Sequence, residues 1–295
     1  MKRILFAFSC LLALNAAAQK PIVITEASES MSKGVQPAFT VEIPQAAIGQ
    51  VEKDWLDYTG KGTKGKATFI NGEHLQPAAV NTNISPTPFN VYAKLVDITG
   101  SVRLTAWFTA NDTLFFKGAD DSIRNLAIEK YMRDFAAGEY RDAVKGELKG
   151  EQEKLKALEK ELAGIIKEEE KSTKRINESN RAIKKSQDNI AANNKSIENT
   201  SEKIATQKGM VERTASDANA NKGAKQTLKD LENERKKLQK DNVNENKNIE
   251  AQNKAIREED RNTALIKERI AGKNGEIDKQ KEKVKEVQTK LEGIK

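Results

Sequence analysis

Apolar residues recur at alternating spacings of three and four along residues 155–294, and this spacing is typical of a coiled coil. One array keeps a single phase from residue 155 onward, and a second array begins near residue 228 in a different phase. The predicted seam residues are Leu155, Leu162, Ile176, Ile183, Ile190, Ile197, Ile204 and Val211 in the first arm, and Leu228, Leu231, Leu238, Ile249, Ile256, Ile270, Ile277, Val284 and Leu291 in the second.

The companion row, three residues further along the first arm, is mostly small or polar. It includes Ser172, Ser179, Ser186 and Asn193. Such layers have two interpretations: they set the register or oligomeric state, as buried asparagine does in coiled coils, or they make the seam weak. We favour the second interpretation, in which numerous charge pairs support helices that open readily.

The relation between the two arrays predicts how the arms are joined. Leu155 and Leu228 are 73 residues apart, three more than ten heptads, so an unbroken helix would need a phase correction. Residues 219–225 are small and polar around Gly223, as expected for a helix stop followed by a restart. Read outward from Gly223, both arms begin apolar, become polar and end apolar.

We therefore predict an antiparallel hairpin with arms at residues 155–218 and 228–294, a turn near 219–227, and Gly223 as the turn residue. The alternative is a continuous rod in a parallel dimer, in which each row of seam residues would pack against the same row of the second copy. At about 1.5 Å per residue, the hairpin arms would each be roughly 100 Å long.

The pattern before residue 119 has a period of two and predicts short strands. Strands are expected at 21–25, 38–43, 66–70 and 73–80, in a hairpin at 91–95 and 102–108, and in a closing strand at 113–116, with a loop rich in serine, glycine and lysine after the first strand. Spacings of three and four between Ile48 and Tyr58 predict one inserted helix that ends near Gly60.

From Asp120 the period changes to 3.6, with Asp120 or Asp121 as a helix cap. The apolar stripe of this helix is expected to include Ile123, Leu126 or Ala127, Tyr131 with Met132, Phe135, Tyr140, Val144 and Leu148. The predicted fold class is α+β: an antiparallel sheet domain with helices at residues 19–118, a connecting helix at 119–154, and a long α-helical coiled coil at 155–295.

Composition separates the same two regions. The chain is 32% charged and 5% aromatic, with a mean hydropathy of −0.71, which is too polar for one large globular core. No Phe, Tyr, Trp, Pro, His or Cys follows Tyr140.

Residues 1–18 have the pattern of a secretory signal peptide. Lys2 and Arg3 are followed by an apolar run at residues 4–14 and by alanines 16–18, so Gln19 is the expected mature start. A lipoprotein interpretation of Cys10 is the weaker alternative, because this cysteine falls within the apolar run. A membrane anchor is not expected, because a span needs about 20 apolar residues and the run at residues 4–14 is shorter. We expect export to the periplasm or cell envelope of a Gram-negative bacterium, with extracellular release as an option.

Charge and chemistry argue against several function classes. Removal of Lys2 and Arg3 lowers the formal charge from +7 to +5, and the remaining charges are interspersed along helices, which disfavours nucleic-acid binding. The mature chain has no cysteine and one histidine, His74, without a partner spacing that supports catalysis. The sequence predicts no catalytic, cofactor-binding or metal-binding residue.

The candidates for a binding surface are Tyr92, Trp107 and the basic loop 61–66. Burial of the two aromatic residues beneath the helices is, however, the preferred interpretation.

Two function classes follow. The first is a non-enzymatic structural or adaptor protein that uses the coiled coil to space or dock proteins of the cell envelope, or copies of itself. The second comes from a resemblance: an export signal, a small β-containing body and long basic helical arms are similar in outline to the tentacled periplasmic holdase chaperones of the Skp type. The separate domain at residues 19–118 departs from that outline. The resemblance implies flexible arms that enclose unfolded clients.

Overall fold

The computed structural model describes residues 21–111 and 113–295, so the predicted signal peptide, Cys10 and Gln19 lie outside the described residues. The elements are β1 (Ile24–Met31), β2 (Gly34–Pro44), α1 (Ile48–Thr59), β3 (Thr68–Ile70), β4 (Glu73–Ala79), β5 (Phe89–Ile98), β6 (Ser101–Thr109), α2 (Ser122–Arg213) and α3 (Ala218–Gly293). This arrangement is an α+β sheet domain followed by a helical hairpin, and the predicted fold class is confirmed.

The chain divides into two compact units. Of the described residues, those up to Lys154 together with Gln280–Lys295 form the first, called the sheet unit, and Leu155–Lys279 form the second, called the hairpin unit. Within the described residues, no helix combines the length and the apolar character that a membrane span requires.

The six strands form one antiparallel sheet in the order β1-β2-β6-β5-β4-β3. The β3–β4 turn places Asn71 and Gly72 at φ values of 56° and 81°, the left-handed conformation that a two-residue hairpin turn of type I′ requires. The predicted hairpin of β5 and β6 is confirmed, with its turn at Thr99 and Gly100.

Two strand predictions were wrong. The segment expected to be a loop after residue 25 belongs to β1, which pairs with β2 from Ile24 to Met31, because a continuous ladder of cross-strand bonds outweighs the weak strand propensity of Ser and Glu. The expected closing strand at 113–116 forms a single bridge, between Thr109 and Phe115.

One face of the sheet packs against the helices. Trp55 of α1 and Met132 of α2 are buried there against strand residues such as Phe39 and Leu104. The end of α3 and the residue that follows it also belong to this core, because Val287 and Ile294 are 3% and 7% exposed.

The start of α2 differs from the predicted stripe. Asp121 caps the helix, since its Oδ1 accepts a hydrogen bond from the Arg124 N–H at 3.0 Å. However, Ile123 and Leu126 are 78% and 65% exposed, whereas Ala127, the alternative to Leu126, packs against the core. The fully buried stripe begins at Ile128. The predicted helical period of 3.6 residues is correct. Which side of the first turn is buried, however, depends on how the helix packs against the sheet.

The helices α2 and α3 are antiparallel neighbours within one chain, so the hairpin is confirmed and the continuous rod was wrong. The turn, however, lies at residues 214–217, not near 219–227, and Gly223 lies inside α3. Asp217 starts α3 because its Oδ1 accepts hydrogen bonds from the N–H groups of Asn219 and Ala220 at 3.0 and 3.1 Å. A glycine inside a helix costs only about 1 kcal/mol, and the neighbouring helix formers outweigh it.

Candidate functional site

The seam of the hairpin follows the predicted heptads. Each of the predicted seam residues is buried or half-buried, with Ile204 and Ile277 at 4% exposure each. Yet the deepest positions of the hairpin unit include residues of the companion row, because Ser172, Ser186 and Thr200 are at most 4% exposed. Small side chains let two helices approach closely, and their buried hydroxyls then need hydrogen-bond partners.

Ser172 is the centre of one such polar layer. Its hydroxyl donates to the Glu259 carboxylate at 2.6 Å and lies 2.9 Å from the Thr263 hydroxyl. Arg175 donates to both carboxylate oxygens of Glu259, at 2.6 and 3.0 Å. The hydrogen bonds from Arg175 and Ser172 lower the pKa of Glu259 to about 2. The sequence signal for this layer was a charged residue at a companion position of the seam, which by itself does not identify the residues that pair with it.

A second polar layer joins the middle of the hairpin. The Asn193 amide donates to Asn242 Oδ1 at 2.9 Å, and the Asn242 amide donates to Asn194 Oδ1 at 2.7 Å. Asn248 donates to the Ser186 hydroxyl at 3.0 Å. These bonds pair specific positions of α2 and α3, and a slip of either helix by one heptad would break them.

Two ion pairs join α2 and α3 at residues that are closer in sequence to the ends of the hairpin unit than the polar layers are. Arg269 donates to Glu168 at 2.7 Å, and Lys273 donates to Glu161 at 2.9 Å. Exposed pairs of this kind contribute little individually. Together with the polar layers, they favour one antiparallel register. The polar rows therefore set the register of the hairpin, and our preferred interpretation, that they only weaken the seam, was wrong.

The Glu259 layer predicts an acid-sensitive hairpin. Because the folded-state pKa is below the ordinary value of 4.5, its stabilisation is present above pH 4.5 and is lost as the pH falls towards 2. We expect the melting temperature followed by circular dichroism at 222 nm to fall over this range. In Glu259→Gln we expect a smaller fall, with the variant less stable than the wild type at pH 6. Glu250→Gln, at an exposed position of α3, is the control. Equal acid sensitivity of the wild type and Glu259→Gln would contradict the assignment.

The sheet unit carries a second candidate surface, on the face opposite the helices. Tyr92 and Trp107 are buried there in a small cluster with Phe115, with Met31 and Leu75 packed against it. The interpretation that the helices cover these two aromatic residues was therefore wrong. The reason is strand alternation: Trp107 follows Ala106 and precedes Phe108, which both face the helices.

This face is concave at one end. Ser32, in the β1–β2 turn, donates its backbone N–H and hydroxyl to the Glu73 carboxylate of β4 at 2.8 and 2.7 Å. In a flat sheet β2 and β4 would lie about 14 Å apart, since neighbouring strands are separated by about 4.8 Å. The sheet is therefore curled around the Trp107 cluster, and a cleft of about 730 Å³ opens on this face.

A third feature is an acidic cleft of about 280 Å³ between α1 and α2. Its lining residues include Asp54, Asp57, Tyr58, Asp134, Phe135, Glu139 and Asp142. Burial, followed by the charges of Asp54 and Asp142, raises the pKa of Glu139 to about 7. The sequence showed the individual carboxylates but not their convergence, because α1 and α2 are far apart in the chain.

Glu139 predicts that the sheet unit loses stability as the pH rises. The folded state holds the proton more tightly than the unfolded chain does, so stability falls between pH 4.5 and about 7. We expect Glu139→Gln to melt on the order of 2 °C above the wild type at pH 8 and at the same temperature at pH 4. Near-UV circular dichroism measures this, with Glu153→Gln as an exposed control on the same helix. A wild-type melting temperature at pH 8 that matches the variant's would contradict the prediction.

The remaining candidates carry less chemistry. His74 is 9% exposed, and its Nε2 lies 3.2 Å from Glu52 Oε1. Among the residues that the structure describes, no group of three or more His, Cys, Asp or Glu is arranged to hold a metal ion. Lys61 of the basic loop lies 5.5 Å from the centre of the Tyr58 ring.

The class of protein that the fold defines is an α+β sheet domain joined to an antiparallel helical hairpin. Neither the models of known protein families nor the sequences of curated proteins match the chain.

Proposed function

We propose that the chain is an exported, non-enzymatic structural or adaptor protein of the bacterial cell envelope, which uses its coiled-coil hairpin to space or dock protein partners. The observation that carries this proposal is the hairpin itself, whose helices of 92 and 76 residues are paired through specific polar layers. A pairing held in one register presents a constant pattern of exposed side chains. Such a pattern is what a specific partner needs.

Site-specific photo-crosslinking in the source bacterium tests the docking function. A photoreactive residue is placed at exposed hairpin positions 170, 229 and 236, and at exposed Lys53 of α1 as the matched position in the sheet unit. We expect one crosslinked product of constant mass from the neighbouring positions 229 and 236, and no such product from position 53. Position 170, close to Ser172 and its partner Glu259, samples a separate part of the hairpin. Two outcomes would contradict docking along the hairpin: no crosslinked product from any hairpin position, or a crosslinked product from position 53 alone.

Removal of two heptads from each helix supplies a second arm of the test. Residues 183–196 and 238–251 lie opposite each other, as the Asn193–Asn242 bond shows. Deleting both segments keeps the heptad phase on either side. A partner that recognises this part of the hairpin is lost from the variant, whereas the circular dichroism of a folded hairpin is retained.

Export is tested by cell fractionation and by the mass of the purified protein. Cleavage before Gln19 removes residues 1–18, and we expect the mature protein in the periplasmic or envelope fraction. A full-length chain in the cytoplasmic fraction would contradict the export part of the proposal and leave the docking experiment unaffected.

A holdase chaperone is the second candidate, and exposed apolar side chains on the hairpin favour it. Ile166, Met210, Val243 and Leu265 are 39% to 60% exposed. A holdase would suppress the aggregation of an unfolded outer-membrane protein and would yield crosslinks to many clients instead of one. Unchanged aggregation at several-fold molar excess of the chain would eliminate this candidate.

A further inference from the structure

The cleft on the concave face of the sheet has the size of a ligand site. Its volume of about 730 Å³ lies within the roughly 300–1,000 Å³ that ligand pockets occupy. Its lining alternates along each strand with the residues of the core beneath the helices, so it consists of side chains that this core does not use. The cleft belongs to the sheet unit, and a ligand there would be independent of the function proposed for the hairpin.

One wall of the cleft contains a buried hydrogen-bond donor without an acceptor. Trp107 is 1% exposed, and its indole Nε1–H has no hydrogen-bond partner among the described residues. Buried donors are nearly always paired, and an unpaired one therefore needs an explanation. An acceptor supplied by a ligand in the cleft is such an explanation.

A second donor lies next to it. Lys94 is directly opposite Thr105 in the β5–β6 ladder, and Trp107 lies two residues beyond Thr105 on the same face. Diagonal neighbours of this kind are about 7–8 Å apart, within reach of a lysine side chain. None of the ion pairs among the described residues involves Lys94, whereas the nearby Arg103 is neutralised by Glu42 at 3.0 Å. An ammonium and an indole N–H from diagonal neighbours that line one cleft match the two oxygens of a carboxylate.

Hydroxyl groups continue from this pair across the sheet. Thr25, Thr40 and Thr105 are aligned in one cross-strand row, and the hydroxyls of Thr40 and Thr105 are 3.1 Å apart. The row runs from Lys94 on β5 to the edge strand β1, a width of about 14 Å, which is longer than a small organic acid. Hydroxyls both donate and accept, as the N–H and C=O groups of an extended peptide require.

We propose that this cleft binds an extended acidic peptide segment, with a side-chain carboxylate held by Lys94 and the Trp107 indole N–H and with the peptide backbone crossing the threonine row towards β1. Four extended residues span about 14 Å, so the recognised segment is short.

A phage-displayed library of random hexapeptides, panned on the full chain, is the probe. We expect enrichment of Asp or Glu at one position of the selected peptides. Lys94→Glu reverses the charge at the site, and we expect the enriched position to change to Lys or Arg. Lys53→Glu, at an exposed position of α1 away from the cleft, is the control and keeps the acidic preference.

The selected peptide is then titrated by isothermal calorimetry. We expect Lys94→Gln to weaken binding about tenfold, which is the effect of losing one charge-assisted hydrogen bond. Trp107→Phe keeps the ring and removes the N–H, and we expect a loss of severalfold. Near-UV circular dichroism establishes whether each variant is folded. If Trp107→Phe does not fold, the change in peptide preference of Lys94→Glu tests the proposal in its place.

Three results would overturn the proposal. They are the absence of acidic enrichment on the folded wild-type chain, unchanged peptide preference in Lys94→Glu, and full competition by free glutamate at the peptide's own affinity. The last result would make the cleft a site for small organic acids. None of these readouts depends on the hairpin crosslinks, so failure here is distinguishable from failure of the adaptor function.

Discussion

Trp55→Ala is expected to lower the free energy of unfolding of the sheet unit by about 3–5 kcal/mol, the usual cost of removing a fully buried aromatic side chain. Trp55 is 1% exposed, and its ring centroid lies 4.9 Å from that of Phe135 and 6.1 Å from that of Tyr131. The substitution leaves a cavity between α1 and α2 that backbone movement fills only in part.

Guanidinium unfolding followed by near-UV circular dichroism measures this loss. Every aromatic residue lies at or before Tyr140, so the signal reports on the sheet unit alone. The control is Leu126→Ala, which removes a large side chain that is 65% exposed, and we expect less than about 1 kcal/mol there. A loss below about 1 kcal/mol for Trp55→Ala would mean that the aromatic cluster is not part of the core.

The second large effect is expected at the other end of the chain. Val287→Asp should destabilise the sheet unit by about 3 kcal/mol or more, because it buries a carboxylate with no cation provided for it. Val287 is 3% exposed within the same core as the strands and α1. This core therefore draws on residues that are separated from the sheet by the whole hairpin in sequence.

The same near-UV measurement tests this prediction. Lys285→Asp introduces the same side chain two residues away, at an exposed position of α3, and we expect it to leave the transition nearly unchanged. If both variants unfold at the same denaturant concentration as the wild type, the end of α3 does not stabilise the sheet. A chain truncated before residue 280 would lack these core residues, so partner mapping is better done by point substitution or by paired heptad deletion.

The hairpin illustrates how far a local pattern can be interpreted. Heptad spacing predicted which residues of α2 and α3 are shielded from solvent, and each predicted seam residue is buried or half-buried. The position of the turn was missed by several residues, because glycine was given more weight than the Asp217 cap. The polar layers were visible as Ser172 and Ser186, but their partners Glu259 and Asn248 lie on the other helix and could not be assigned before the register was known.

The candidate binding cleft was predictable only in its parts. Tyr92 and Trp107 were identified from the sequence as candidates for a binding surface, and strand alternation places them on one face. Which face the helices cover was not recognised, because α1 and α2 could pack on either side of an isolated strand pattern.

By itself, then, the sequence determined the class of most segments: short alternating strands before residue 119, and after it two helical arms with a break between them. These properties depend on residue spacing along a few turns or strands. The antiparallel return of the chain stayed one of two alternatives until the structure decided it. The tertiary structure alone decided the curl of the sheet, the meeting of Lys94 and Trp107 at one cleft, the acidic cleft around Glu139, and the entry of Val287 into the sheet core. Each of these depends on contacts between residues far apart in the chain, and the free energy of such contacts is not encoded in any local period.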